Sequence, residues 1–382
     1  MHEAYIIDAV RTPRGKRNGS LSLVHAIDLA ALPLTALFKR NQIDPKEVDD
    51  VIYGCVSQRT EQDNDIARAA VLAAGLPEEI AGVSLNRFCA SGLTACNFAA
   101  QAVASGAEDM QIAGGIEHMT RVPMDINFYF GESGLSKHYP NLVPQGISAE
   151  MISEKYHFSR TQLDEYAVRS QQLAGKAWEE KRFAKSIIPV TAKMPDGKEF
   201  QFEKDEHMRP QTTVEALAKL KTVFKDDGVI HAGNSSGIVD GAAGVLFASK
   251  EKCKQLGLKP RAKYVSTAVA GSDPVIMLLG PIPSTKKALK KAGLSIKDID
   301  LFEINEAFAP VVLAVSKDLE IPMDKINVNG GAIALGHPLG ATGAMLVGTI
   351  LDELERQDKR YGLITLCIGM GMGVTTIIDR KV

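Results

Sequence analysis

Ile43-Asp44-Pro45-Lys46-Glu47-Val48-Asp49-Asp50-Val51 is echoed late in the chain by Leu294-Ser295-Ile296-Lys297-Asp298-Ile299-Asp300-Leu301-Phe302. One offset relates Lys46 to Lys297 and Val48 to Ile299, so the two stretches stand in register. After each, at nearly equal distance, comes a turn of small residues opening an Ala/Gly-rich helix. The first is Asn86-Arg87-Phe88-Cys89-Ala90-Ser91-Gly92; the second is Gly336-His337-Pro338-Leu339-Gly340. The apolar run 111–115 likewise answers 363–369. Self-similarity on this scale predicts an α/β fold made of two duplicated halves, each a sheet with crossover helices, packed about a pseudo-twofold axis. Strand-end loops from both halves would then meet in one cleft.

Outward from these anchors, the first half reads as a strand over 4–10, a helix over 27–38 around Pro33, and a strand over 51–56. An Ala-rich helix over 65–74 stops at Gly75, a strand follows over 82–86, and a helix over 90–104 stops at Ser105-Gly106. The loop 11–22 carries Arg11, Arg14, Lys16 and Arg17, and reads as solvated rather than as a phosphate contact. A buried-type strand covers 111–119. From 120 to 240 the texture changes to prolines and long polar loops, with one amphipathic helix over 160–180. Such a segment suits an insertion draped over the core, and strand texture resumes at 241–248. In the second half, 326–328 reads as a strand-like run and 340–354 as a helix.

The chain has 382 residues, 45% of them apolar, and a net charge of −2. It can bury a large core, and it lacks the basic stripe of a nucleic-acid binder. Five cysteines at scattered spacings argue against a disulfide framework and show no metal-ligand pairing. No apolar run reaches membrane-spanning length, and the N-terminus opens on a strand rather than a targeting segment, so a cytoplasmic protein is expected.

Cys89 stands where a strand turns into a helix, beside unpaired N–H groups and the positive end of the helix dipole. That setting favours thiolate and offers donors to an oxyanion. A buried cysteine packing as a small hydrophobe fits the window equally, and Cys55 and Cys96 read as core. Asn305-Glu306-Ala307-Phe308 follows a strand over 301–304, where Asn as N-cap and Glu in a first helical turn would be natural. His337 is hemmed in by glycines that let a ligand approach the backbone. Cys367-Ile368-Gly369-Met370-Gly371-Met372-Gly373 ends a buried strand; only a strand over 374–378 follows it, so no dinucleotide-binding βαβ unit can form. Two cysteines, a histidine and an asparagine in corresponding strand-end loops are the ingredients of an acyl-transfer site.

These four stretches, in this order, closely resemble the thiolase family over essentially the whole chain. The resemblance implies a five-layer αβαβα core with a loop domain inserted in the first half. Residues 1–119 would form the first core, 120–240 the coenzyme A-binding insertion, 241–265 the return, and 266–382 the second core. It also implies roles. Cys89 would carry the acyl group, with His337 taking its proton. Cys367 would protonate the departing acetyl-CoA carbanion and deprotonate incoming coenzyme A. Asn305, through a water, and His337 would stabilise the enolate oxygen. The N–H groups of Cys89 and Gly369 would form a second oxyanion hole. Arg209 and Ser236 match coenzyme A contacts, and Met277 an acyl-pocket wall. Coenzyme A is then a substrate, with no permanent cofactor and no metal.

Residues 114–119 and 209–217 are more similar to bacterial degradative 3-ketoacyl-CoA thiolases than to biosynthetic acetoacetyl-CoA enzymes. This implies ping-pong thiolysis in fatty acid β-oxidation by a homodimer or dimer of dimers, in some relatives joined to a hydratase/dehydrogenase subunit. The rivals are an acetyl-CoA acetyltransferase making acetoacetyl-CoA, and a non-catalytic acyl-CoA carrier. One departure stands out: many relatives have Cys-Ser-Gly-Ala-Arg after the histidine turn, where this chain has Ala341-Thr342-Gly343-Ala344-Met345. A change in packing or at an interface is expected there.

Overall fold

A computed structural model describes residues 3–124 and 133–382. Its strands are β1 (Ala4–Arg11), β2 (Gly15–Lys16), β3 (Asp50–Gly54), β4 (Ala81–Leu85), β5 (Met110–His118) and β6 (Val190–Lys193). They continue with β7 (Glu199–Phe202), β8 (Val239–Ser249), β9 (Ala262–Gly271), β10 (Leu301–Ile304), β11 (Tyr361–Ile368) and β12 (Met372–Asp379). The main sheet runs β10-β11-β12-β9-β1-β8-β5-β3-β4, with β2 beside β8; β6 and β7 form a separate hairpin.

The order repeats. In one wing β3 is parallel to β5 and β5 antiparallel to β8. In the other β10 is parallel to β11 and β11 antiparallel to β12. Only Tyr5↔Lys263 and Ile6↔Ala262 join β1 to β9, so the wings hinge at a narrow seam. Between them lie the helices Ser91–Ser105 and Leu339–Arg356. One apolar cluster gathers Leu93, Cys96, Val347 and Leu351 from these helices with Val245 and Phe247 of one wing and Ile364 and Leu366 of the other. Further cores cover the outer faces, one around Leu34 and Val71 and one around Leu289 and Val312. Helices, wing, helices, wing, helices: this is the layered α/β architecture that the duplication predicts.

The small residues of both central helices have a packing reason. A Cβ on Gly92 would stand 2.5 Å from the Gly340 carbonyl oxygen, and one on Gly343 would stand 2.1 Å from the Leu93 nitrogen. The helix starts therefore cross backbone against backbone, which brings Cys89 and His337 towards each other.

Three local expectations are corrected. The run 326–328 is no strand: the counterpart of β4 has shrunk to a single bridge, Phe302↔Ile326, with Asn327 at positive φ. Asn305 and Glu306 cap no helix, because the next one begins at Ala309. The loop after β1 is solvated at Lys16 and Arg17 but not at Arg11 and Arg14. Arg11 is buried in a bidentate pair with Asp205 at 2.8 Å, and the Arg14 N–H donates to the same carboxylate at 2.7 Å. A carboxylate distant in sequence neutralises what looked like a surface cluster.

Candidate active site

Cys89 lies in the turn between β4 and the helix Ser91–Ser105. Phe88 takes a positive φ of 46°, rare for a side chain of its size. The Ser91 hydroxyl braces the turn, donating to the Phe88 carbonyl at 2.6 Å and accepting from the Arg87 N–H at 2.8 Å. The thiol is buried and packs with Met119 and Leu339. Burial pushes it up to about 11, against a side-chain hydrogen bond from Gln145 and the local backbone N–H. The expected resting thiolate is thereby corrected: desolvation outweighs the helix terminus, and Cys89 rests as a thiol.

His337 follows Gly336, whose φ of 94° and contact with Val239 exclude any other residue. Its Nδ1 is 2.6 Å from the Thr342 hydroxyl, which itself donates to the Pro338 carbonyl at 2.9 Å. The hydroxyl must therefore accept from Nδ1–H, which leaves Nε2 as the unprotonated, hydrogen-bond-accepting nitrogen. Nε2 faces the Asn305 amide nitrogen at 3.3 Å, and Asn305 Oδ1 is buried without a partner among the described residues. Burial, then the charge of Arg14, pushes His337 down to about 3, so it rests neutral.

Cys367 ends β11 on its outer face, against Met277. Burial raises its thiol strongly, and Cys89 is close enough to raise it further. A Cβ on Gly369 would stand 2.9 Å from Gln145 Nε2 and 3.9 Å from Phe88. Cys89, Asn305, His337, Cys367 and Gly369 thus share one neighbourhood. Met277 is buried, and its sulfur accepts from the Met370 N–H at 3.3 Å. Ser236 is half-buried, its N–H on the Ala307 carbonyl at 2.9 Å. Arg209 is exposed, its N–H donating to Gln171 at 2.6 Å.

Residues without an assigned role in the sequence hold the site together. Glu117 is fully buried and accepts from the N–H groups of Val56, Ser57 and Gly340 and from Gln62, all at 2.9–3.1 Å. Its signal was an acid inside a strand that read as buried. Glu306 accepts from Tyr166 and Ser170 at 2.7 Å, Ile333 N–H at 3.0 Å and Asn327 at 3.1 Å. It binds the helix Arg160–Glu179 to the turns bearing Asn305 and His337. Met345, where the resemblance leads to an expected change of packing or interface, is buried with Arg14 Nε 3.1 Å from its sulfur.

The description "Thiolase, N-terminal domain" matches residues 4–251, and "Thiolase, C-terminal domain" matches residues 258–380. The chain belongs to the thiolase family. The 3-oxoadipyl-CoA/3-oxo-5,6-dehydrosuberyl-CoA thiolase of Escherichia coli (strain K12) is 44% identical over 402 residues, covering 100% of both chains. The 3-ketoacyl-CoA thiolase of Idiomarina loihiensis is 44% identical over 387 residues, again covering 100% of both. Among solved structures, the Bacillus anthracis acetyl-CoA acetyltransferase superposes with a TM-score of 0.92 at 41% identity, covering 99% of both chains. This thiolase is an acyltransferase of acyl-CoA chemistry, and no helix among its described residues is long and apolar enough to cross a membrane.

Proposed function

We propose that this thiolase cleaves 3-ketoacyl-CoA with coenzyme A, giving acetyl-CoA and a shortened acyl-CoA, in the degradative direction of fatty acid β-oxidation. The observation that carries the reading is the neutral His337, its Nδ1–H held by Thr342 and its unprotonated Nε2 accepting from Asn305, beside the interacting pair of thiols Cys89 and Cys367. Thiol and imidazole both rest uncharged, so the proton leaves Cys89 for Nε2 as sulfur attacks the 3-keto carbon. The C2–C3 bond then breaks, and its electron pair moves onto acetyl-CoA. Asn305 and His337 stabilise the enolate oxygen, and Cys367 supplies the proton. Coenzyme A, deprotonated by Cys367, collects the acyl group from Cys89 through a tetrahedral intermediate whose oxygen meets the N–H groups of Cys89 and Gly369.

The segment 120–240 acts as the coenzyme A-binding part, with Arg209 and Ser236 as contacts, and Met277 lines the acyl pocket. The enzyme works in the cytoplasm as a dimer through the β4 edge, where Val83, Phe98 and Leu72 are 45, 43 and 50% exposed. A sheet edge with one side unpaired, flanked by apolar side chains, suits a second copy of the chain.

Substrate profiling tests the reading. Purified enzyme should thiolyse medium- and long-chain 3-ketoacyl-CoA with burst formation of acyl-Cys89. Activity on acetoacetyl-CoA alone would sink it in favour of the biosynthetic reaction. Preference for 3-oxoadipyl-CoA, the substrate in the name of an equally similar relative, would make the acyl chain a dicarboxylic one.

A further inference from the structure

Gln145 is the first residue of the helix Gln145–Tyr156, directly after Pro144, and its side chain is half-buried at the site. The helix start is clamped in place. Gly146 leaves room for the Phe224 ring, which meets Phe308 edge-on at 6.0 Å. One turn further on, Glu150 accepts from the N–H groups of Val229 and Ile230 at 2.9–3.0 Å. With its backbone held, the Gln145 amide has one neighbourhood to serve. Its Nε2 stands over the Gly369 backbone, 2.9 Å from where a Cβ would be, and its amide is close enough to Cys89 to favour the thiolate over the thiol. Phe88, 3.9 Å from the same position, offers no side-chain hydrogen-bond donor.

We propose that Gln145 is a catalytic residue, whose side-chain amide donates a hydrogen bond to the Cys89 sulfur as the thiol proton leaves and holds the thiolate towards the 3-keto carbon. The proposal rests on Cys89 being the acyl carrier. The proton passes from Sγ to His337 Nε2, and sulfur keeps the electron pair that forms the new S–C bond. Gln145 exchanges no atom; its N–H lowers the cost of charge on a desolvated sulfur. The need is physical: a buried thiol has little water to stabilise its anion, and a neutral imidazole takes the proton without supplying a donor to sulfur in advance. An amide suits this better than a lysine, because it adds a donor without a permanent charge that would trap the thiolate.

The test is Q145M, which keeps length and flexibility and removes the donor, alongside Q145E, which sets a carboxylate towards the sulfur. In Q145M, iodoacetamide alkylation of Cys89 at pH 8 should slow by about tenfold to a hundredfold, the loss expected for one hydrogen bond to a charged group. Its pH profile should move to higher pH, and kcat for thiolysis should fall in parallel, with KM for coenzyme A and the melting temperature unchanged. Q145E should be slower still. Wild-type alkylation rate and pH profile in Q145M, or a Q145E as fast as wild type, would overturn the role. The underlying reading fails separately: wild-type enzyme mixed with 3-ketoacyl-CoA and quenched would then carry no acyl group on Cys89. Acylated wild type with an unaffected Q145M removes Gln145 alone.

Discussion

The two turns that meet in the site occupy matching places in the two halves, yet they are held differently. At Cys89 the turn is self-contained: Phe88 takes the left-handed conformation and Ser91 clips the backbone on both sides. At His337 the support comes from far away. Glu117, on β5 of the other wing, holds the Gly340 N–H, and Glu306, after β10, holds the Ile333 N–H. Cys89, the proposed nucleophile, therefore sits on a locally determined loop, whereas His337, the proposed base, sits on a loop whose position is set by buried carboxylates. Change near Cys89 should act on chemistry; change far from His337 can act on geometry.

The comparison breaks first if the sulfurs are dispensable. Cys89→Ala and Cys367→Ala should each lower thiolysis by at least about 10⁴-fold with the fold intact, as for groups acting as one unit. Coupled assays and circular dichroism check both, and acyl transfer to coenzyme A surviving in Cys367→Ala removes its acid/base role. Asn305→Ala should come next, with kcat down by about 10²-fold, or roughly 3 kcal/mol, from the loss of one oxyanion donor. Exchange of the acetyl-CoA methyl protons with solvent deuterium measures that step directly.

Smaller effects sharpen the contrast between local and distant support. Glu306→Gln and Glu117→Gln turn an all-acceptor group into one that points N–H at other donors. Each should cost about 1–3 kcal/mol in urea unfolding, and kcat should fall with little change in KM. Ser91→Ala should leave the His337 turn untouched, as judged by unchanged methyl-proton exchange. Arg14→Met tests the field on His337. Removing the buried cation should raise its pKa, so activity should begin to fall nearer neutrality than in the wild type, as a pH–kcat profile would reveal. The smallest effect is on stability. The folded pKa of His337 is depressed, so its contribution is complete above its ordinary value of 6.5 and lost as pH falls towards about 3. Unfolding curves between pH 7 and 4 should be steeper in pH for the wild type than for His337→Asn.

Much of this molecule was legible in one dimension. Offset repetition exposed the two halves, because a duplicated sheet needs its strands and small-residue turns at matching intervals. The glycines around His337 read as room for a ligand, and the structure adds that Gly92, Gly340 and Gly343 make room for neighbouring backbone. The two cysteines, the asparagine and the histidine were picked out as candidates by their place at strand ends, and the proposed function uses them. What could not be read was the choice of partner. Arg11 and Arg14 looked solvated until Asp205, nearly two hundred residues away, proved to sit against them. Glu306 looked like a helix-start residue, yet four donors from three segments surround it. Gln145 gave no signal at all, and the protonation of Cys89 was read in the wrong direction. Backbone shape and apolar periodicity are local properties that a sequence carries openly. Burial and the identity of a buried group's neighbours arise only when distant segments pack, and they decide which thiol keeps its proton and which imidazole stays neutral.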